Sequence, residues 1–325
     1  MKVLPKKDFF SLFPTPEYLL LSTSGLSLTD EYIKIVQFRK DFLSPCLKLV
    51  NFAKVATPKG VIEGGIITNT EVLAETLKKL ASAYSLHYVH ATLPEEKAYL
   101  FSAYIDSVSH EDLRDAVAFI LEENVPVSIA DSVFDFEVAK VTEDGSQIKV
   151  AVSVLPKKVV EVYTSVLEAA GLHPVSFDVE SQAVARAVVL RGDNLTRLII
   201  NLGLKKTSFY IVENSVVQFS TTFPYGTEGD RYRNLNDLKM EMRKIFSFWN
   251  ARVDKRGFPE GNIDRTIICG EAASNADFIK ELMAESPVGY DLADPWINTF
   301  CKESPNQPEA LNFSGAIGLA LPRES

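Results

Sequence analysis

The stretch NLGLKKT, residues 201–207, gathers residue types suited to holding a phosphate. Gly203 lets a ligand approach the backbone N–H groups, Thr207 supplies a hydroxyl, and Lys205 and Lys206 supply ammonium groups. Asn201 can hydrogen-bond but carries no charge to attract a metal cation. Such a turn has to be held between strands. Leu198, Ile199 and Ile200 form an apolar run before it, and Ser208–Val212 a run after it. Glu213-Asn214-Ser215 breaks the second run and Val216–Phe219 returns, so three consecutive strands are predicted over Thr196–Phe219.

Other chemistry is harder to assemble. The four histidines, at 87, 90, 110 and 173, are scattered and show no metal-ligand spacing. His87 and His90, three apart on a strand, would face opposite sides. No Ser/His/Asp or Cys/His grouping is visible. The three cysteines, at 46, 269 and 301, are an odd number without short spacing, as in a reducing compartment. A net charge of −9 argues against non-specific nucleic-acid binding. The start, MKVLPKKDFFSLFPTPE, lacks the apolar segment and small-residue cleavage site of a secretory signal. No stretch elsewhere approaches the ~20 apolar residues of a membrane span. A cytoplasmic protein is expected, with Phe9, Phe10, Leu12 and Phe13 packed back onto the body or, as the alternative, touching a membrane or a partner.

The chain has 325 residues, 46% hydrophobic and 24% charged, so two or more globular lobes are expected. Tyr18–Leu21 and Tyr32–Phe38 read as a hairpin-like start, split by Ser22-Thr23-Ser24-Gly25 and by Thr29-Asp30-Glu31. Leu43–Phe52 gives a third strand. Glycines 60, 64 and 65 make the next segment loop-like, after which Asn69 or Thr70 caps a helix whose apolar residues are Val72, Leu73, Leu77, Leu80 and Ala81. His87–Leu93 is a strand. Tyr99–Ala170 then reads strand, helix, strand, strand, helix, a small α/β subdomain of its own. Its helices carry the stripes Leu113, Val117, Ile120, Leu121 and Val159, Val160, Tyr163, Val166, Leu167, with Gly171 past the end of the second. Helices follow over Ser181–Leu190, Asn236–Trp249 and Asn275–Met283, with a strand Thr266–Cys269 ending at Gly270-Glu271. Ser286–Glu309 is irregular and Asn312–Leu321 is a final helix. Two similar halves emerge, and the cleft between two such lobes is a natural ligand site.

In this order and spacing the sequence resembles the PilM family, actin-like cytoplasmic proteins of type IV pilus assembly close in fold to the cell-division protein FtsA. The resemblance rests on KGVIEGGIITNTEVLAETLKKL (59–80), HATLPEEKAYLF (90–101), LRDAVAFILEENVP (113–126), VLPKKVVEVYTSVLEAAGLHPVSFDVESQAVARAV (154–188), NLGLKKTSFYIVENSVVQF (201–219) and GAIGLAL (315–321). It implies an α/β, two-lobed actin-like fold of the ASKHA, ribonuclease H-like type with an FtsA-type inserted subdomain. Subdomain 1A would comprise 15–98 plus 171–195, the inserted 1C 99–170, 2A 196–224 plus 264–325, and 2B 225–263. The implied partner is a PilN-like inner-membrane protein, bound by its cytoplasmic N-terminal peptide in a groove involving 1A and 1C. Self-association is compatible with the same fold.

The family holds ATP between 1A and 2A, and the resemblance places a degenerate version of that site here. The first phosphate hairpin is matched to Ser22, Ser24 and Gly25, without its aspartate. The second is matched to Asn201, Gly203, Lys205, Lys206 and Thr207, with Asn201 in place of the carboxylate. The adenosine motif, with paired glycines in the family, is Gly270-Glu271, and Glu271 brings a negative charge. Serine and asparagine cannot recruit Mg²⁺ as aspartates do. No metal site, no catalytic residue and no required cofactor are therefore expected, with ATP the one candidate ligand. An active Mg-ATPase or filament former would need carboxylates at 22 and 201. A sugar-kinase-type enzyme would need a catalytic aspartate, for which Asp178 and Asp193 are the nearby candidates.

Overall fold

Leu26 and Leu28 set the register of the first lobe. In the computed structural model, which describes residues 23–41, 44–109, 111–142, 144–252, 261–299 and 309–323, they lie on strand β1 (Thr23–Leu28). β1 pairs antiparallel with β2 (Tyr32–Asp41), placing Leu26 opposite Ile35 and Leu28 opposite Ile33. β3 (Ser44–Ala56) adds to β2 antiparallel, while β6 (Tyr88–Leu93) and β10 (His173–Val179) continue the other side in parallel, giving the order β10-β6-β1-β2-β3. β4 (Ile62–Glu63) and β5 (Ile66–Ile67) form a small ribbon inside the segment expected to be loop. Helices α1 (Thr70–Tyr84) and α3 (Lys157–Ala169) cover one face, and Leu73, Leu77, Tyr163 and Leu167 join Leu26, Ile33 and Ile35 in one core. Asn69 caps α1 by accepting from the Val72 N–H at 3.0 Å, and Gly171 follows α3 at φ +78°.

The first hairpin differs from expectation. Its first described strand begins at Thr23, so Ser24 and Gly25 are inside β1 and the turn is Thr29-Asp30-Glu31 alone. Ser22, the Tyr18–Leu21 run, the N-terminal phenylalanines and Cys301 lie outside the described residues.

The second lobe repeats the plan. Its sheet runs β13-β12-β11-β14-β15, from β11 (Arg197–Leu202), β12 (Thr207–Glu213), β13 (Val216–Phe223), β14 (Arg265–Cys269) and β15 (Tyr290–Leu292). β15 falls in the stretch expected to be irregular. Helices α5 (Arg231–Asn250) and α6 (Ala276–Met283) bury Leu238, Met242, Phe246, Trp249, Phe278 and Leu282 against Leu198, Ile200 and Phe209. Each such side chain contributes about 1.5–3 kcal/mol of burial.

Between the sheets lie two short helices. α4 (Glu180–Val188) follows the first sheet in sequence but packs against β12 and β13 of the second. α7 (Ser314–Ala320) follows the second sheet but packs on β1, β2 and β6 of the first. The exchange is tight: a Cβ on Gly318 would collide with the Ala183 carbonyl, and one on Gly25 with the Ala316 carbonyl.

The inserted module is a three-stranded antiparallel sheet, β7-β9-β8, of β7 (Tyr99–Asp106), β8 (Ser132–Val141) and β9 (Gln147–Pro156). Helix α2 (Leu113–Asn124) closes its own core of Leu113, Val117, Leu121, Val150, Val152 and Val154. The module also touches the second lobe. Lys149, 2% exposed, pairs with Glu213 at 2.8 Å, and Asn214 donates to the Ala139 carbonyl at 3.4 Å.

Candidate functional site

The two hairpin turns face one another across a cleft of about 430 Å³. In the first, Thr29 Oγ1 donates to the Tyr32 carbonyl at 2.9 Å and accepts from the Tyr32 N–H at 3.1 Å. Asp30 accepts from the N–H groups of Gly64 and Gly65 at 2.8 and 3.2 Å, tying the turn to the β4–β5 ribbon. In the second, the Gly203 N–H donates to the Lys206 carbonyl at 3.0 Å. The turns correspond: Ser27-Leu28-Thr29 ends β1 as Asn201-Leu202-Gly203 ends β11. Ser27, and not Ser22, is the partner of Asn201, and both line the cleft.

Gly203, Lys205, Lys206 and Glu271 join Asn201 in the cleft lining. Ser24 does not, being 1% exposed with an unpartnered hydroxyl within β1. Gly25 meets α7, which explains why a glycine stands there. Thr207 is fully buried, its hydroxyl turned into the core. Gly270 supports the cleft from behind. At φ +100° it donates to the Leu311 carbonyl at 2.9 Å, and a Cβ would lie 2.6 Å from Asn201 Oδ1. Asp178 lies in a different groove and Asp193 bonds Arg197 at 2.8 Å, so neither serves the cleft. Sequence reading overlooked Ser27, Lys34, Glu180 and Asn312. The repeat of strand end, one residue, then turn was the signal for Ser27; the other three are brought in only by the fold.

The charges of the cleft bind one another. Lys206 of the second lobe pairs with Glu96 of the first, Lys205 pairs with Glu31 at 3.4 Å, and Lys54 of the first lobe pairs with Glu271 of the second. Lys34 donates to Asn312 Oδ1 at 2.5 Å and to its carbonyl at 2.8 Å. Burial works against the Lys206 charge, but Glu180 and Glu96 outweigh it and hold its pKa above the usual lysine value. Burial likewise works against the Glu96 carboxylate and Lys206 outweighs it, keeping its pKa low. Desolvation lowers Lys34. Glu180 accepts from Asn201 Nδ2 at 3.3 Å.

The cleft's donor set is mixed in charge. The two strand-end positions hold a hydroxyl and an amide. The first turn carries Asp30 and Glu31, and Lys205 and Lys206 pair with Glu31 and Glu96. The lining holds five carboxylates, Asp30, Glu31, Glu63, Glu180 and Glu271, against four lysines, Lys34, Lys59, Lys205 and Lys206. Among the described residues no group of three or more His, Cys, Asp or Glu could hold a metal ion.

A larger groove, about 640 Å³, runs between the first lobe and the inserted module. Leu93, Phe177 and Val160 of the lobe and Val133, Phe134 and Leu155 of the module contribute to its walls. Asp178 bonds Arg186 at 2.7 Å and Arg323 at 2.8 Å. Glu95 caps α4, accepting from the Ser181 N–H at 2.8 Å, and burial raises its pKa. Cys269 is free and buried, whereas Cys46 is disulfide-bonded, which the cysteine spacing did not indicate.

Two lobes, each presenting a hairpin turn to a shared cleft and joined through exchanged central helices, define an actin-like, ASKHA-related fold. Residues 25–233 match the family described as type IV pilus assembly protein PilM, well over half of the chain. The chain belongs to the PilM family. A solved structure described as the PilM-PilN type IV pilus biogenesis complex is similar to it, with a TM-score of 0.77 at 19% identity, covering 92% of this chain and 98% of that one. The ethanolamine utilization protein EutJ from Carboxydothermus hydrogenoformans is similar with a TM-score of 0.51 at 12% identity, covering 91% and 88%. No curated protein matches the sequence.

Proposed function

We propose that this chain is a non-catalytic adaptor of type IV pilus assembly, or of a related competence or secretion system, that binds the cytoplasmic N-terminal tail of a PilN-like membrane protein. The observation that carries this reading is the pairing of a self-neutralised cleft with an open, partly apolar groove between the first lobe and the inserted module. A groove of this kind suits an extended peptide, held by pockets and by backbone pairing at a sheet edge. The complex named in the PilM-PilN structure belongs to that protein; membership of the family extends the expectation to this one.

In this reading the inserted module is the FtsA-type 1C subdomain, spanning 99–170, although α3 at its end packs into the first lobe's core. Subdomain 1A is 15–98 plus 171–195, 2A is 196–224 plus 264–325 and 2B is 225–263. No cofactor is required, and ATP is neither held with magnesium nor hydrolysed. The protein works in the cytoplasm, drawn to the inner membrane by its partner. Among the described residues no helix is long and apolar enough to cross a membrane.

Co-elution tests the proposal. The chain, mixed with the detergent-solubilised PilN-like protein of the same genome, is expected to elute with it on size exclusion. Partner lacking its cytosolic tail is expected to elute alone. Co-elution that survives removal of the tail would contradict the proposed mode of capture.

A further inference from the structure

Strand β3 joins the lobes at both of its ends. At the cleft end Lys54 pairs with Glu271 of the second lobe. About 26 Å back along the extended strand, its other end meets the segment that continues from β15. There the Leu47 N–H donates to the Thr299 carbonyl at 3.1 Å. Trp296 of that segment packs edge-on to Phe38 of β2, 6.3 Å between ring centres, and tilts against Phe52 of β3 at 6.0 Å. Asn298 fixes the segment by donating to the Val189 and Arg186 carbonyls at 2.7 and 2.9 Å.

Cys46 stands at this junction, directly before Leu47, and is disulfide-bonded. The chain has three cysteines and Cys269 is free. Cys301, which follows Thr299 closely in sequence, is therefore the partner that the chain itself can offer. The bonded and the free cysteine differ in reactivity. Burial pushes the Cys269 thiol up to about 12, so it stays a thiol and inert at neutral pH. Cys46 is half-buried on an edge strand, where a dissolved thiolate can reach its sulfur. In a chain that works among reduced thiols, a disulfide of this kind responds to redox conditions instead of bracing the fold permanently.

We propose that Cys46 and Cys301 form a thiol-sensitive clasp between the lobes, closed under oxidation and opened by small thiols of the glutathione type. The proposal is independent of the adaptor reading. In opening, one glutathione thiolate attacks a sulfur of the clasp and releases the other as a thiolate; a second glutathione then displaces the first. Two glutathione thiols leave as glutathione disulfide, and their two electrons and two protons end on the two cysteines. The closed bond spans most of the chain, so it restricts the unfolded state strongly. It also holds the back of β3 against the second lobe, opposite the end that borders the cleft.

The test equilibrates the purified wild-type protein, without denaturant, in oxidised glutathione or in excess reduced glutathione. The samples are quenched in acid, unfolded and alkylated with iodoacetamide, and the labels are counted by mass. One label is expected after oxidised glutathione and three after reduced glutathione, with peptide mapping joining Cys46 to Cys301 within one chain. The oxidised form is expected to melt about 5 °C or more above the reduced form. Cys46→Ser and Cys301→Ser are each expected to melt with the reduced wild type in both buffers. Hydrogen exchange at the Leu47 amide is expected to quicken on reduction. Three labels after oxidised glutathione, or a bond between two chains, would overturn the inference. So would a single label after excess reduced glutathione, which marks a permanent brace, or equal melting temperatures of the two forms.

Discussion

Lys149 is a buried charge that ties the inserted module to the second lobe. It crosses from β9 to Glu213 and lies 5.9 Å from the centre of the Trp249 ring. Lys149→Ala leaves Glu213 without its partner and is expected to cost about 3–5 kcal/mol, whereas Lys149→Met combined with Glu213→Leu should recover most of that loss. Urea unfolding of the three proteins measures the difference. His90 gives a pH test. Its Nδ1 lies 2.6 Å from Ser176 Oγ, and burial, with Arg323 nearby, lowers its pKa to about 4 from the usual 6.5. The unfolded state therefore binds more protons between those values, so the stability due to neutral His90 is present above pH 6.5 and lost as the pH falls toward 4. The melting temperature of His90→Gln should vary less across this window than that of wild type.

At the scale of elements, the central helix pair and the cleft turns carry the architecture. Gly318→Ala would drive a methyl group into the Ala183 carbonyl. It is expected to cost 1–3 kcal/mol or more, since overpacking here must move backbone and not a flexible side-chain end. The cleft contacts are weaker. Glu96→Gln removes the carboxylate that holds Lys206, and the pair is partly exposed. A loss of about 1 kcal/mol or less is expected at low salt, shrinking toward zero in 1 M NaCl, as read from melting curves. Had the elements been judged only by apolar runs, the hairpin of the second lobe would be right and that of the first displaced. LIINLG announces β11 through the apolar run Leu198-Ile199-Ile200. TSGLSL does not announce β1, because one face of that strand is Gly25 and Ser27, kept small by the approach of α7. β15 escaped notice because all three of its residues are exposed.

For the whole molecule, the fold was legible because its repeat is written twice, as hairpin, strand and helix. The cleft was only half legible. Asn201, Lys205, Lys206 and Glu271 line the cleft, but the cross-lobe partners Glu31, Glu96 and Lys54 are distant in sequence and no local pattern connects them. The groove was legible only as an expectation attached to the family, since its walls come from residues 93, 133–137, 153–160, 177–192, 215 and 322–323. Across the cleft the lobes hold each other by their own lysines and carboxylates, and the proposed reading assigns partner capture to the groove between the first lobe and the inserted module. Calorimetric titration of the wild-type protein with the PilN-like N-terminal tail, once in EDTA without nucleotide and once with magnesium and ATP, tests this most directly. The account predicts saturable binding of one tail per chain, with the same affinity in both solutions and no heat from ATP alone. Tail binding that requires magnesium and ATP, or no tail binding in either solution, would contradict it.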